Sequence, residues 1–218
     1  MPSTQFDTAD LVARFRRLTR ESTSAEFPQA ADIYAFLTEG ENRVKADIAA
    51  RFPALLLCNP TALATTDSIS YTFGTDADGN NVVPLGHVIV YAQPSDVPHY
   101  PLMTGAEFVW QGDRIRMPDN APRTFPTGGP VAQWVAPTLL IDASNAPTLK
   151  PVQARTLVVY DAAVRYANAI KSDADATRYE NLYNREWEIW LPAFQTQAQY
   201  LPACTYPRSA MRQMRGYR

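Results

Sequence analysis

Carboxylate pairs are the first side chains in this sequence that could support catalysis. Glu180, Glu186 and Glu188 lie in one helix-period segment, and Glu39 and Glu41 lie in another. Glycoside cleavage requires two carboxyl groups flanking the scissile bond. Acids at these positions are more typical of the wet face of an amphipathic helix. We therefore expect no catalytic residue and no enzyme activity, and we keep Glu180 and Glu186 as the candidate pair for a hydrolase alternative.

The sequence offers little for metal or cofactor chemistry. A zinc site needs three or four ligands, and neither His87 nor His99 has a nearby cysteine or a suitably spaced carboxylate. Residues 76–80 superficially resemble a calcium loop, but the glycine comes too early and the required Glu is missing. A hairpin turn is the better interpretation. No glycine-rich phosphate loop is present either, and we expect no metal and no cofactor.

The last eighteen residues form a basic segment in which several apolar side chains alternate with arginines and no acid occurs. Chain termini often fray. However, these apolar side chains favour burial, and arginine forks suit carboxylates and phosphates. We expect residues 201–218 to form an extended arm that becomes ordered when it docks on a partner. Its predicted partner-binding residues are Tyr206, Arg208, Met211, Arg212, Met214, Arg215, Tyr217 and Arg218.

Helix-period patterns at both ends of the chain must position these groups. Apolar residues recur at three- and four-residue steps and predict four helices, at about 8–20, 28–52, 151–171 and 175–191. Pro28 suits the first turn of the second helix, and Gly40 interrupts that helix at a cost of about 1 kcal/mol. The first helix carries a basic face that is either solvated or turned to a partner, made of Arg14, Arg16, Arg17 and Arg20.

The middle of the chain, about 54–147, has a β pattern. Residues 68–73 and 82–91 predict strands, residues 131–136 predict another, and Gly112-Asp113 joins a short hairpin formed by 108–111 and 114–117. Short amphipathic helices must bury their apolar stripes against each other, so the β region is an insertion into a helical core. The predicted fold class is α+β, with residues 1–200 forming a single domain that is followed by the arm.

Bulk composition limits the function further. The chain has 218 residues, 46% of them hydrophobic, and a net charge of -2, which gives no overall bias towards nucleic acid. Its longest strongly apolar run is far shorter than the roughly 20 residues of a membrane span, and from its polar first residues we expect no signal peptide. We expect synthesis in the cytoplasm without membrane contact. Cys58 and Cys204 could form a disulfide, but two free thiols are favoured.

Several motifs, in order along about 190 residues, resemble the head-to-tail adaptor (connector) proteins of tailed bacteriophages. The opening helix (LVARFR, 11–16), the Phe-Pro-Gln step at 27–29 and IYAFLTE at 33–39 are similar to the start of that family. Thr38 and Gly40 stand where the family usually has Asn and Ala. The GDRIR segment at 112–116, a strand ending at Pro137, and the closing tyrosines after Tyr166-Ala167 also resemble the family.

This resemblance implies a structural protein of the virion, located at the head–tail interface. Such a protein forms a ring, often of twelve copies, that docks under the portal and links it to tail or nozzle proteins. The C-terminal segment of these adaptors commonly reaches the portal, which would be the role of the arm here. The resemblance leaves two alternatives open: a virion-associated cell-wall hydrolase, and a structural protein whose arginines contact packaged DNA.

Overall fold

The computed structural model describes residues 6–21, 27–66, 69–75, 79–97, 101–102, 107–118, 125 and 130–199. These residues form an α+β protein, as predicted, with four α-helices and two small antiparallel sheets. The chain divides into two compact units. The described residues of Met1–Ile48 and Thr138–Gln197 form one unit, which contains nearly all of the helical structure. Those of Ala49–Pro137 and Ala198–Arg218 form the other, which contains the sheets.

The helical unit is built from helices α1 to α4, with bounds close to those predicted: α1 Thr8–Thr19, α2 Ala30–Arg51, α3 Arg155–Ala169 and α4 Asp173–Gln199. Helix α1 begins where the sequence indicates, because the Asp7 side chain accepts a hydrogen bond from Asp10 N at 2.8 Å. It ends at Arg20, whose left-handed backbone (φ 63°) stops the helix.

Helix α2 starts two residues later than predicted. Pro28 precedes the helix instead of occupying its first turn. Gln29 takes the capping position, since its carbonyl oxygen accepts from Ile33 N at 3.1 Å. The Asp32 carboxylate reaches back to Gln29 N at 2.8 Å. This return contact resembles half of a capping box, and it sets the start of the helix after the proline.

Helix α3 is buried on more sides than one apolar stripe would allow. The helix-period pattern of this segment places Leu157, Ala163, Ala167 and Ile170 on one apolar stripe. The first three are fully buried, and Ile170 is exposed. Val158, Val159 and Ala162 lie off that stripe and are buried as well. A helix that is apolar around most of its circumference lies inside a protein, and α3 is the central helix of this unit.

Helix α4 is longer than predicted. The sequence pattern was expected to stop near Trp190, but the helix continues through Pro192 to Gln199. Proline removes one helical hydrogen bond. Burial on the far side offsets this loss, because Phe194 is fully buried and contacts Trp187, with ring centroids 5.8 Å apart.

The described part of the β unit contains seven short strands: β1 Thr61–Ala62, β2 Ala64–Thr65, β3 Ser70–Thr72, β4 Val88–Tyr91, β5 Val109–Gln111, β6 Arg114–Arg116 and β7 Val131–Trp134. One sheet has the order β1-β7-β4 and the other β2-β3-β6-β5. The hairpin around Gly112 (φ 66°) is confirmed, with Gln111 paired to Arg114. Strands β1 and β2 were missed because two residues carry no periodicity.

A separate apolar core holds the β unit together. Tyr71 and Phe73 lie in it as the alternating pattern predicts, and the Phe73 ring packs edge-on against Trp134 at 5.1 Å. The remaining buried members come from five different segments: Leu63, Val90, Leu102, Phe108, Ile115, Met117 and Ala132.

Candidate anion-binding cleft

A cleft of about 400 Å³ on the helical unit is lined by side chains from three helices. Helix α1 supplies Arg14, Arg17 and Leu18, which share a face because they are three and four residues apart. Helix α3 supplies three residues at the same spacing, and Arg20 and α4 complete the lining. The other members are Thr156, Val159, Tyr160, Arg20 and Arg178.

Four guanidinium groups therefore border one cleft, and none of the lining side chains is acidic. Arg14 is partly neutralised, because its Nε lies 2.9 Å from Asp10 Oδ2 and its guanidinium covers the Phe6 ring at 4.2 Å. Arg178 lies 5.7 Å from the Tyr179 ring centroid. Arg17 and Arg20 are exposed, and neither has an acidic partner among the residues that the structure describes.

The apolar part of the cleft lining comes from α1 and α3. Val159 is buried, and Leu18 and Tyr160 are half-buried. Burial raises the pKa of the Tyr160 phenol, and the charge of Glu186 adds to this effect. The phenol therefore stays protonated at neutral pH and can donate a hydrogen bond. A cationic border around an apolar lining suits a ligand that carries both carboxylate or phosphate groups and apolar groups.

The structure separates the four arginines of the predicted basic face. Arg14, Arg17 and Arg20 line the cleft, whereas Arg16 donates to the Pro28 carbonyl oxygen at 3.4 Å. The sequence indicated the basic face but could not show the concave surface, because the cleft depends on α3 and on Arg178 from α4.

One of the two candidate catalytic carboxylates, Glu180, belongs to an ion network inside the same unit. Arg43 from α2 donates to Asp161 Oδ1 and to Glu180 Oε1, both at 2.7 Å. Asp161 is 1% exposed and also accepts from Arg165 Nε at 2.7 Å. These two acids stabilise the cation, so the pKa of Arg43 is raised chiefly by its hydrogen bond to Glu180.

The other carboxylates considered for hydrolysis also have partners or lie in the open. Glu186 accepts from Trp190 Nε1 at 2.9 Å, and Glu39, which is exposed, pairs with Arg165 at 2.6 Å. Glu188 is exposed on α4. The structure thus assigns Glu180 and Glu186 to different structural contacts and does not arrange them as a pair facing a substrate.

The predicted environment of Glu41 was wrong. The pattern placed it on a solvated helix face, but the residue is completely buried. Its Oε1 accepts from Thr148 N at 2.7 Å and from Leu149 N, and lies 3.8 Å from Lys45 Nζ. Lys45 donates to the Thr138 and Thr148 hydroxyls, both at 2.7 Å. Burial lowers the pKa of Lys45, and Glu41 opposes this effect. This group ties α2 to the chain segment that leads into α3.

The remaining chemical candidates are the two histidines and the calcium-like loop, and the structure describes them only in part. His87 is exposed, and His99 lies outside the described residues. Of the calcium-like loop, residues 76–78 are also outside them, while Thr75 pairs with Asn81 as a turn requires. The described segments contain no group of three potential metal ligands.

The eight predicted arm residues from Tyr206 to Arg218 and Cys204 lie outside the described part of the chain. Cys58 has a free thiol, and burial raises its pKa.

The chain matches no protein-family model, and no curated protein sequence has significant similarity to it. Among the described residues, no helix has both the length and the apolar character needed to cross a membrane.

Proposed function

We propose that this chain is a structural adaptor of a phage virion, forming a ring that docks under the portal and links it to the tail. The observation that carries the proposal is the distribution of charge in the helical unit. Asp161, Glu180 and the buried Glu41 are engaged within the fold, while four arginines line an open cleft. This distribution favours a protein that binds other macromolecules over one that performs acid–base chemistry.

The motifs behind the resemblance act as the framework of the helical unit. Leu11 and Phe15 of the opening motif are fully buried in α1, and Phe15 contacts the Tyr166 ring edge-on at 5.8 Å. Tyr179 and Tyr183 of the closing motif are buried in α4. A framework of this kind can present surfaces for lateral, head-to-tail packing in a closed ring. The arm at 201–218 remains our predicted portal contact.

The test is the mass of the purified protein in solution, measured by light scattering with and without the portal protein of the same virion. We expect a closed assembly of defined mass when the portal is present. After deletion of residues 201–218, we expect a protein that still folds but no longer binds the portal. A monomer that ignores the portal would refute the adaptor role. Normal co-assembly of the truncated chain would refute only the role of the arm.

Two controls distinguish the alternatives. A hydrolase would lose clearing of cell-wall substrate in Glu180→Gln and Glu186→Gln, whereas an adaptor has no such activity to lose. A DNA-contacting protein would bind duplexes without sequence preference, and this binding would weaken steeply with salt. An adaptor would instead depend on one protein partner.

A further inference from the structure

We infer that the arginine-lined cleft is a docking site for an acidic peptide segment that carries apolar side chains between its carboxylates. The inference concerns the helical unit alone and does not depend on the adaptor role. It is based on the cleft residues, none of which belongs to the predicted arm at 201–218.

Charge complementarity is the first argument. Arg14, Arg17, Arg20 and Arg178 account for four of the 20 basic residues of a chain whose net charge is -2. Together these like charges create a local positive potential that attracts anions. Asp10 offsets only Arg14. An occupant with two or three carboxylates would neutralise this potential and could form forked hydrogen bonds with the guanidinium groups.

Shape and lining distinguish a peptide from a nucleic acid. A nucleic acid duplex is too wide to enter a cleft of about 400 Å³ and could contact only the arginines at its rim. The volume of about 400 Å³ is within the range of small-ligand pockets, so it can receive a few side chains. Leu18, Val159 and the Tyr160 ring would have no role towards bare phosphate, but they can pack against leucine or phenylalanine side chains.

The binding test uses a fluorescent peptide of alternating Glu and Leu and follows its anisotropy on addition of the full chain. Two matched peptides replace every Glu by Gln or every Leu by Ala. We expect the Glu–Leu peptide to bind with an affinity that falls as salt is added. Each matched peptide should bind at least about tenfold more weakly, because it loses either the charged hydrogen bonds or the apolar contacts.

Variants then locate the site. Arg17→Ala and Arg178→Ala should each weaken binding about three- to tenfold, and Arg17→Lys should restore part of the loss because lysine keeps the charge but not the fork. Arg51→Ala is the matched control, since it removes one exposed positive charge outside the cleft. Substitution of an exposed arginine should leave the fold intact, and circular dichroism of each variant checks this.

Three results would overturn the inference: no binding of the Glu–Leu peptide, equal losses in Arg51→Ala and Arg17→Ala, or equal binding of the Glu–Leu and Gln–Leu peptides. A further experiment uses oligothymidylate as a competitor of the peptide. Tighter binding of this oligonucleotide than of the peptide, with the same sensitivity to Arg17→Ala, would assign the cleft to nucleic acid instead. None of these results bears on ring formation, which is measured separately by mass.

Discussion

Gly40 in α2 lies directly against the backbone of Val158 in α3. A Cβ atom added to Gly40 would lie 2.8 Å from the Val158 carbonyl oxygen and 3.4 Å from Ala162 N. Real Cβ atoms essentially never come that close to a backbone oxygen. The glycine that the sequence presents as a weak point in the helix is therefore the point where α2 and α3 make their close approach.

Gly40→Ala should destabilise the protein even though alanine is the better helix former. The gain in propensity is about 1 kcal/mol, while forcing a methyl group into a packed contact costs about 1–3 kcal/mol. We expect a net loss of about 1 kcal/mol in urea unfolding. Ala35→Gly, at an exposed site of the same helix, measures the propensity effect alone. A Gly40→Ala protein more stable than wild type would show that the helices can separate freely.

Asp161→Asn should be one of the most damaging changes to the helical unit. It keeps the shape of the side chain but removes the buried anion that both Arg43 and Arg165 contact at 2.7 Å. We expect a loss of about 2 kcal/mol in the free energy of unfolding, less than is usual for a broken buried pair because both guanidinium groups are one-third exposed.

Glu39→Gln is the control for this change, since Glu39 contacts the same Arg165 from an exposed position. Its loss should stay below about 0.5 kcal/mol. Equal losses for the two variants would contradict the view that burial of Asp161 decides the effect.

Phe194→Ala tests whether α4 contributes to the core beyond Pro192. Phe194 is fully buried, so truncation should cost about 3–4 kcal/mol in unfolding free energy. Ile189→Ala is the comparison on the same helix, because Ile189 is 61% exposed, and its cost should be within about 0.5 kcal/mol. If the two variants lose the same unfolding free energy, the part of α4 beyond Pro192 does not pack against the core.

Tyr166 should make stability fall at alkaline pH. Burial, followed by its hydrogen bond to Glu21, raises the pKa of Tyr166 from its ordinary value of 10.0 to about 12. The unfolded chain then loses this proton first, so the stabilisation is complete below pH 10 and is lost as the pH rises towards about 12. We expect urea unfolding of Tyr166→Phe to show a shallower loss of stability over that window. A wild-type slope in this variant would rule out the contribution.

Local patterns were sufficient for most elements. Helix α1 and the hairpin at Gly112 depend on side chains within a few residues of one another, so the local pattern was sufficient to predict them. The predicted end of α4 was wrong, because the true end depends on contacts that are distant along the chain. Proline weakens a helix locally, and only the core that receives Phe194 compensates for it.

The candidate site was predictable only in part. The arginine-rich face of α1 could be read from the sequence, which left open whether this face is solvated or turned to a partner. The cleft could not be found, because Tyr160 and Arg178 come from elements more than 130 residues away along the chain. Arg16 is different, because its contact with the Pro28 carbonyl oxygen depends on how the chain turns between α1 and α2, which the helical period does not specify.

By itself, the sequence determined the class of the fold, the approximate positions of the four helices and the sign of the charge on α1. These properties follow from periodicity and from the residues' own chemistry. The tertiary structure alone decided that Glu41 is buried, that Gly40 is a contact and that Glu180 pairs with Arg43. The physical reason is that solvation, close approach and ion pairing depend on neighbours that are distant along the chain, and a periodic pattern carries no information about those neighbours.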